Sequence, residues 1–193
     1  MANAIFAYLA RYITLSEEEQ EAITSLNLFQ THKKGTVLLK AGQRSADSYF
    51  VVKGCIRCYY VVDGEEKTTA FYTESEPFSP PCSVSNEPSA QYVACVEDVI
   101  LAVSNPAMEQ QVFEKFPRFE TLCRILSEEL LAKNQTSSDH FKTSSPEQRY
   151  LHLLQTRPDL VQRVPQYQLA SYLGIKPESL SRIRKRIAQP VKV

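Results

Sequence analysis

The chain has 193 residues, an apolar share of 43% and a formal net charge of zero. That length holds one large domain or two small ones, and no apolar run approaches the roughly 20 residues that cross a bilayer. The neutrality conceals a division: from Lys142 onward there are ten Lys or Arg against three Asp or Glu, a net +7, which leaves −7 for residues 1–141. A basic C-terminal segment behind an acidic one favours a nucleic-acid partner for the basic part.

The start of the chain, MANAIFAYLARYITLSEEE, has no basic opening, apolar core and cleavage pattern, so no secretory leader is expected and the default location is the cytoplasm. Ser16-Glu-Glu-Glu19 spells a capping box opening a helix over SEEEQEAITSLN. Four glycines follow, Gly35, Gly42, Gly54 and Gly64, roughly ten residues apart. They punctuate TVLL, SYFVV, CIRCYYVV and EKTTAFYT, runs rich in β-formers. Asp63-Gly64 is a strong hairpin signal, and Gln91 to Val96 and Val99 to Val103 are two later strands. Short strands at this spacing predict a sandwich or barrel. ESEPFSPPCSVSNEPS, rich in proline and serine, is expected to be a loop.

Asn105-Pro106 starts a short helix through Phe116, and Pro117 restarts the chain as a longer helix from about Phe119 to Ala132 or beyond. Along it Phe119, Leu122, Leu126, Leu130 and Lys133 make a stripe. Its early part is expected on the barrel and its later part on a second copy. The polar stretch NQTSSDHFKTSS, residues 134–145, is expected to be the domain junction and a hinge. A second capping box, Ser145-Pro-Glu-Gln148, opens QRYLHLLQT, with Tyr150, Leu151, Leu153 and Leu154 expected to close a small C-terminal core.

The cysteines are Cys55, Cys58, Cys82, Cys95 and Cys123, and an odd count argues against a complete disulfide framework. Cys55-Ile-Arg-Cys58 is a CxxC, but it lies in a β-type run where side chains three apart point to opposite faces. With no second Cys or His pair to complete a tetrahedral site, buried or half-buried structural thiols are expected and no metal. His32, His140 and His152 are scattered, which gives haem ligation weak support; His32 and His140 are expected to be exposed and His152 to lie on a helix surface.

The densest motif is VPQYQLASYLGIKPESLSRIRKRI, residues 164–187. Leu169, Ala170, Leu173, Gly174, Ile175, Leu180 and Ile183 fall where two short helices crossing over a tight turn need apolar or small groups. Gly174 supplies the left-handed conformation that ends the first helix, and Pro177 suits the first position of the second. Leu180, Ile183 and Ile187 face inward, leaving Glu178, Ser179, Arg182 and Lys185 or Arg186 to point outward. The pattern predicts a DNA-reading helix-turn-helix. A helical hairpin with a solvated basic face is the plainer alternative.

The order of these parts resembles the Crp/Fnr family of bacterial transcription regulators. The likeness rests on KKGTVLLKAGQRSADSYFVVKGCIRCYYVVDGEE at 33–66 and QLASYLGIKPESLSRIRKRI at 168–187. It implies an α+β fold: an N-terminal β-roll or jelly roll of the cyclic-nucleotide-binding type with flanking helices, a long dimerisation helix and a C-terminal helix-turn-helix domain. The implied domains are a sensor and dimerisation part at 1–133, a hinge at 134–145 and a DNA-binding part at 146–193. Double-stranded DNA, a second copy of the chain, RNA polymerase and a small-molecule effector are the partners it implies; no membrane and no enzymatic activity follow from it. Glu178, Ser179 and Arg182 match the positions that contact bases and phosphate, and Lys176, Arg184, Lys185 and Arg186 suit the DNA backbone. Pro177 stands where some members carry arginine, so one base contact is expected to be lost.

The family's nucleotide pocket needs a Gly-Glu pair and an Arg-Ser or Arg-Ala pair. Here EPFSPPCSVSNEPSAQYV has no Gly-Glu, and Pro88-Ser89-Ala90 stands where Arg-Ser-Ala is expected. Without arginine the cyclic phosphate loses its main charge-assisted partner, so conventional cyclic AMP binding is not expected. If a pocket persists, Glu76, Phe78, Ser79, Cys82, Ser89 and Gln91 line it; a closed loop with no ligand is the alternative. The family's iron–sulfur variant needs cysteines near the N-terminus, and the first 54 residues contain none. No cofactor is therefore expected. The family's β-hairpin wing would follow Ile187, and the few residues from there to Val193 lead us to expect wing contacts absent or reduced.

Overall fold

The computed structural model describes residues 1–188; the stretch expected to lack a wing lies in part outside them. The chain divides into two compact units. One comprises Met1–Cys58 and Phe71–Leu130, the other Tyr59–Ala70 with the chain from Leu131 onward.

In the first unit, α1 (Ala2–Leu9) and α2 (Glu17–Ser25) precede the strands. The Ser16 capping box forms as expected: Glu19 N–H donates to Ser16 Oγ at 3.3 Å and Ser16 N–H to Glu19 Oε2 at 2.7 Å. Eight strands follow: β1 (Phe29–His32), β2 (Val37–Leu39), β3 (Ser48–Lys53), β4 (Ile56–Val62), β5 (Glu65–Tyr72), β6 (Pro77–Phe78), β7 (Tyr92–Cys95) and β8 (Val99–Ser104). They form two four-stranded sheets, ordered β1-β8-β3-β6 and β2-β7-β4-β5. The antiparallel register of the first sets Phe29 opposite Ala102 and Tyr49 opposite both Val103 and Phe78. Val51, Ile56, Val93 and Leu101 are wholly buried in the roll. At the start of β4, Ile56, Arg57, Cys58 and Tyr59 are all buried in succession, as in a strand covered on both faces.

Two turns show why the glycines stand where they do. Asp63 and Gly64 both have positive φ, 53° and 78°, which a two-residue turn of type I′ requires. At Gly54, φ is +98° and a Cβ would lie 2.6 Å from the Asp98 carbonyl oxygen, so backbone conformation and space both demand glycine.

Two strands and three helices were not foreseen: β1, β6, α1, α3 (Pro81–Ser85) and α7 (Pro158–Arg163). The segment expected to be only a loop therefore holds a short strand and a helical turn. Prolines there do not forbid helix, because Pro81 occupies the first helical position, where its missing N–H costs nothing.

After β8 come α4 (Pro106–Lys115) and the long α5 (Arg118–Thr143). The early stripe of α5 packs as expected: Phe119 and Leu122 are buried with Ile23, Leu28, Ala102 and Val112, and Leu126 covers them. An unforeseen ion pair joins the same elements. Glu19, 4% exposed, receives Arg118 Nε at 2.6 Å, and Arg118 also donates to the Thr14 carbonyl at 2.8 Å. Farther along, Tyr12 donates to Glu129.

The long helix, expected from about Phe119 to Ala132 or beyond, does continue: α5 runs through the polar stretch at 134–145 to Thr143, and only Ser144 and Ser145 separate it from the next helix. Serine and threonine with a hydroxyl free to bond back up the helix tolerate this, as in Thr136 Oγ1 to the Ala132 carbonyl and Thr143 Oγ1 to the Asp139 carbonyl.

Candidate nucleic-acid interface

The second unit is built on α6 (Pro146–Thr156), α7, α8 (Gln166–Tyr172) and α9 (Pro177–Ala188). The capping box at Ser145 and Gln148 opens α6. Tyr150, Leu153, Leu160, Val164, Leu169, Ala170, Leu173, Leu180 and Ile183 form its core, and Ala170 and Leu180 have no exposed surface at all. Of the four α6 residues expected inside, Leu154 is half-buried and Leu151 is 37% exposed. A helix shows one stripe to its core, and Leu151 lies too far round from Tyr150 and Leu153 to share it.

The turn between α8 and α9 matches its sequence. Gly174 has φ +70°, its N–H donates to the Ser171 carbonyl at 3.0 Å, and Ile175 N–H reaches back to the Ala170 carbonyl at 3.0 Å. This pair of bonds is a Schellman termination. Sequence reasoning missed the residue that locks it. Arg149 donates from Nη1 to the Leu173 carbonyl at 2.8 Å and from Nε to the Ser144 carbonyl at 3.1 Å, with its guanidinium 4.0 Å above the Phe141 ring. One cation thus ties the end of α5, the start of α6 and the end of α8, and a Cβ on Gly174 would press on both Phe141 and Arg149.

On α9 the buried row leaves a polar face outward. Glu178, Arg182, Arg184, Lys185 and Arg186 are exposed, as is Lys176 in the turn, while Ser179 and Ile187 are half-buried. Arg182 Nη2 lies 3.3 Å from Ser179 Oγ, so the helix brings two of the three expected base- and phosphate-contacting residues together. Arg186 differs from the other cations. It ion-pairs with Glu147 of α6, with Nε 3.3 Å from Oε1.

In the loop region of the first unit, Phe78, Cys82, Ser89 and Gln91 are buried, Glu76 is half-buried and Ser79 exposed. Their polar atoms largely serve the loop itself. Glu76 Oε2 accepts from Thr73 N–H at 2.9 Å, Ser79 Oγ and Ser48 Oγ are 2.8 Å apart, and Cys82 Sγ donates to the Ser45 carbonyl at 3.6 Å. Ser89 Oγ accepts from Gln91 N–H at 3.2 Å and donates to the Gln91 carbonyl at 2.9 Å. Gln91 Nε2 is buried without a hydrogen-bond partner. Two arginines carried no sequence signal here. Arg44 donates to the Asn86 carbonyl, and Arg57 is a buried cation on β4.

Cys55, Cys58, Cys82 and Cys95 are buried thiols, and desolvation pushes that of Cys95 up to about 11. Cys123 corrects the expectation of burial: it is free and exposed on α5. No group of three or more metal-ligating side chains occurs among the described residues. The histidines are less dispersed and less exposed than expected. His32 and His140 are half-buried, and the α5–α6 connection brings His140 against His152, the rings tilted with centroids 4.1 Å apart. No helix among the described residues is long and apolar enough to cross a membrane.

Comparison with known proteins agrees with this architecture. Residues 29–115 match the cyclic nucleotide-binding domain family. Among solved structures, FixK2 from Bradyrhizobium japonicum has a TM-score of 0.66 at 17% identity, over 82% of this chain and 83% of that one. The c-di-GMP responsive global regulator CLP of Xanthomonas campestris has a TM-score of 0.65 at 16% identity, over 89% and 91%. A mutant of CooA from Carboxydothermus hydrogenoformans has a TM-score of 0.63 at 18% identity, over 82% and 75%. No curated protein matches the chain. The resemblance drawn from the sequence is thus supported: residues 29–115 match the cyclic nucleotide-binding domain family, and the chain shares the fold of these solved regulators.

Proposed function

We propose that this protein is a sequence-specific DNA-binding transcription regulator that acts as a homodimer. The observation that carries the reading is Arg182, exposed on the outer face of a helix whose inner face is fully packed. A guanidinium held this way offers a bidentate fork to guanine O6 and N7, and Glu178 beside it accepts from cytosine N4. Ser179 donates to phosphate, and Lys176, Arg184, Lys185 and Arg186 supply sequence-independent attraction. Two-fold symmetry sets the half-sites about 34 Å apart, one helical turn of DNA. The exposed side of α5 supports pairing: Ile125 and Leu131 are 42% and 68% exposed, apolar groups that a second copy would cover.

In this reading residues 1–133 sense and dimerise, residues 134–145 act as the hinge and residues 146–193 bind DNA. Ser144 and Ser145, the residues of that span outside the helix, are where bending concentrates. The chain performs no catalysis, works in the cytoplasm and meets RNA polymerase at its target. Cyclic AMP is not its effector, because Pro88 occupies the place of the phosphate-binding arginine. A different small molecule would meet the buried amide of Gln91, with Glu76, Phe78, Ser79, Cys82 and Ser89 around it.

Selection from a random duplex library tests the reading. The wild-type chain should enrich a two-fold symmetric motif, and Arg182→Ala should lose preference at one base pair in each half-site. Enrichment of no motif would favour a sensing or scaffold module that does not bind DNA.

A further inference from the structure

The tip of the β4–β5 hairpin belongs to the same compact unit as the helical head. β5 is the outer strand of its sheet, so its far edge presents backbone N–H and C=O groups to whatever lies beside it. At Glu66 and Thr68 that neighbour is a side chain of α8. Ser171 Oγ donates to the Glu66 carbonyl at 2.8 Å and accepts from the Thr68 N–H at 2.9 Å. A single hydroxyl, able to give one bond and take two, stands where the next strand would be. Thr68 is buried and Ser171 half-buried, which limits competition from water.

The hairpin also brings negative charge. Asp63, Glu65 and Glu66 lie within four residues of one another at its tip. Lys67 pairs with Glu65 and holds its carboxyl below the usual range, and Lys176 adds a smaller pull in the same direction. Lys176 is one of the cations assigned above to the DNA backbone. Acidic groups within a Debye length of about 8–10 Å weaken the attraction of such a cation for phosphate.

We propose that the β4–β5 hairpin is an autoinhibitory latch on the DNA-reading head: docked on Ser171 through Glu66 and Thr68, it carries the acidic residues of its tip onto that head, and its release accompanies DNA binding. β4 and β5 continue from the tip into the eight-stranded roll, so an event that shifts these strands moves the latch. The inference rests on the regulator reading and adds the contact through which it is controlled.

The test uses the full chain with Ser171→Ala, which removes both bonds, and Ser171→Thr, which keeps the hydroxyl. Two quantities are measured: exchange of the Thr68 amide, and affinity for a duplex selected with the wild-type protein. Ser171→Ala should speed Thr68 exchange and tighten DNA binding by about three- to tenfold, the range that one net hydrogen bond supplies. Ser171→Thr should keep both wild-type values. Faster exchange in Ser171→Ala with unchanged or weaker DNA binding overturns the latch and leaves the regulator reading intact, the contact then being a brace. A wild-type chain that selects no duplex overturns both.

Discussion

The helical head and the loop at residues 74–91 are both built from short elements joined by tight turns, yet they differ in where their polar groups are spent. In the head every group serves one geometry: Leu180 and Ala170 close the core, Gly174 turns the chain, and Arg182 is left outside. In the loop, which holds β6 and α3, Ser89 spends its hydroxyl on Gln91 of its own chain. Two regions of similar build can thus turn their polar groups outward or onto their own chain, so function has to be argued from side chains rather than from the fold.

Removing the anchor of the head should have the largest effect. Leu180→Ala empties a fully buried position and should cost about 2–5 kcal/mol of head stability, with loss of DNA binding. Hydrogen exchange would check it: amides of α8 and α9 should exchange faster while those of Val51 and Val93 in the roll keep their protection. Equal acceleration in both would mean that the two regions unfold together and that the contrast between them is not energetic.

The roll has its own anchor in Glu19 and Arg118. Arg118→Ala leaves a buried carboxylate short of its charged partner and should destabilise the chain by about 1–3 kcal/mol. The Arg118 hydrogen bonds, opposed by burial and aided by the Ser16 backbone, hold the Glu19 pKa below its ordinary value. A depressed folded pKa means that this stabilisation is present above the unfolded value, about 4.3, and is lost as pH falls through the folded one. Melting temperature followed from pH 6 to pH 3 should therefore fall more steeply for wild type than for Glu19→Gln, which has no such proton to take up.

How much of this was legible in the sequence follows from how local each signal is. Capping boxes at Ser16 and Ser145, the Asp63-Gly64 turn and the Gly174 stop each depend on a few adjacent residues, and all formed as expected. β1 and β6 escaped because Phe29–His32 and Pro77–Phe78 are too short for a two-residue period to show. The long-range bonds escaped altogether. Nothing near Arg149 announces that it will cap α8, and nothing near Ser171 announces β5. The polar stretch after Lys133 left the end of the long helix open, because composition alone does not decide conformation. A solvated helix is polar all round when its neighbours do not bury it.

Next in size is Arg182→Ala, which should weaken specific DNA binding by about 1–3 kcal/mol and relax preference at one position while leaving non-specific binding nearly unchanged. Arg186→Ala should do less and do it differently. Its pair with Glu147 is exposed, so stability should change by about 0–1 kcal/mol. The dependence of affinity on salt should fall by about one ion, as should that of Lys185→Ala, if Arg186 leaves Glu147 for phosphate. A salt slope unchanged only in Arg186→Ala would show that this arginine stays with its carboxylate and belongs to the structure of the head, not to its reading face.

The smallest expected effect is none at all, and it bears on the other half of the comparison. A ligand that binds only the folded chain raises its stability by about 2.7 kcal/mol at a hundred times its dissociation constant. Binding cyclic AMP in the manner of the family requires a guanidinium at the phosphate, because an anion drawn from water into a β-roll needs a charged donor to offset its lost hydration. The place of that arginine holds Pro88, and Ser89 beside it offers a hydroxyl whose proton is already given to the Gln91 carbonyl, a bond that an anion there would have to break. Cyclic AMP at millimolar concentration should therefore leave the melting temperature unchanged. A rise would mean that another cation, such as the buried Arg57, has taken over the phosphate, and the loop would then have exchanged its ligand chemistry rather than lost it.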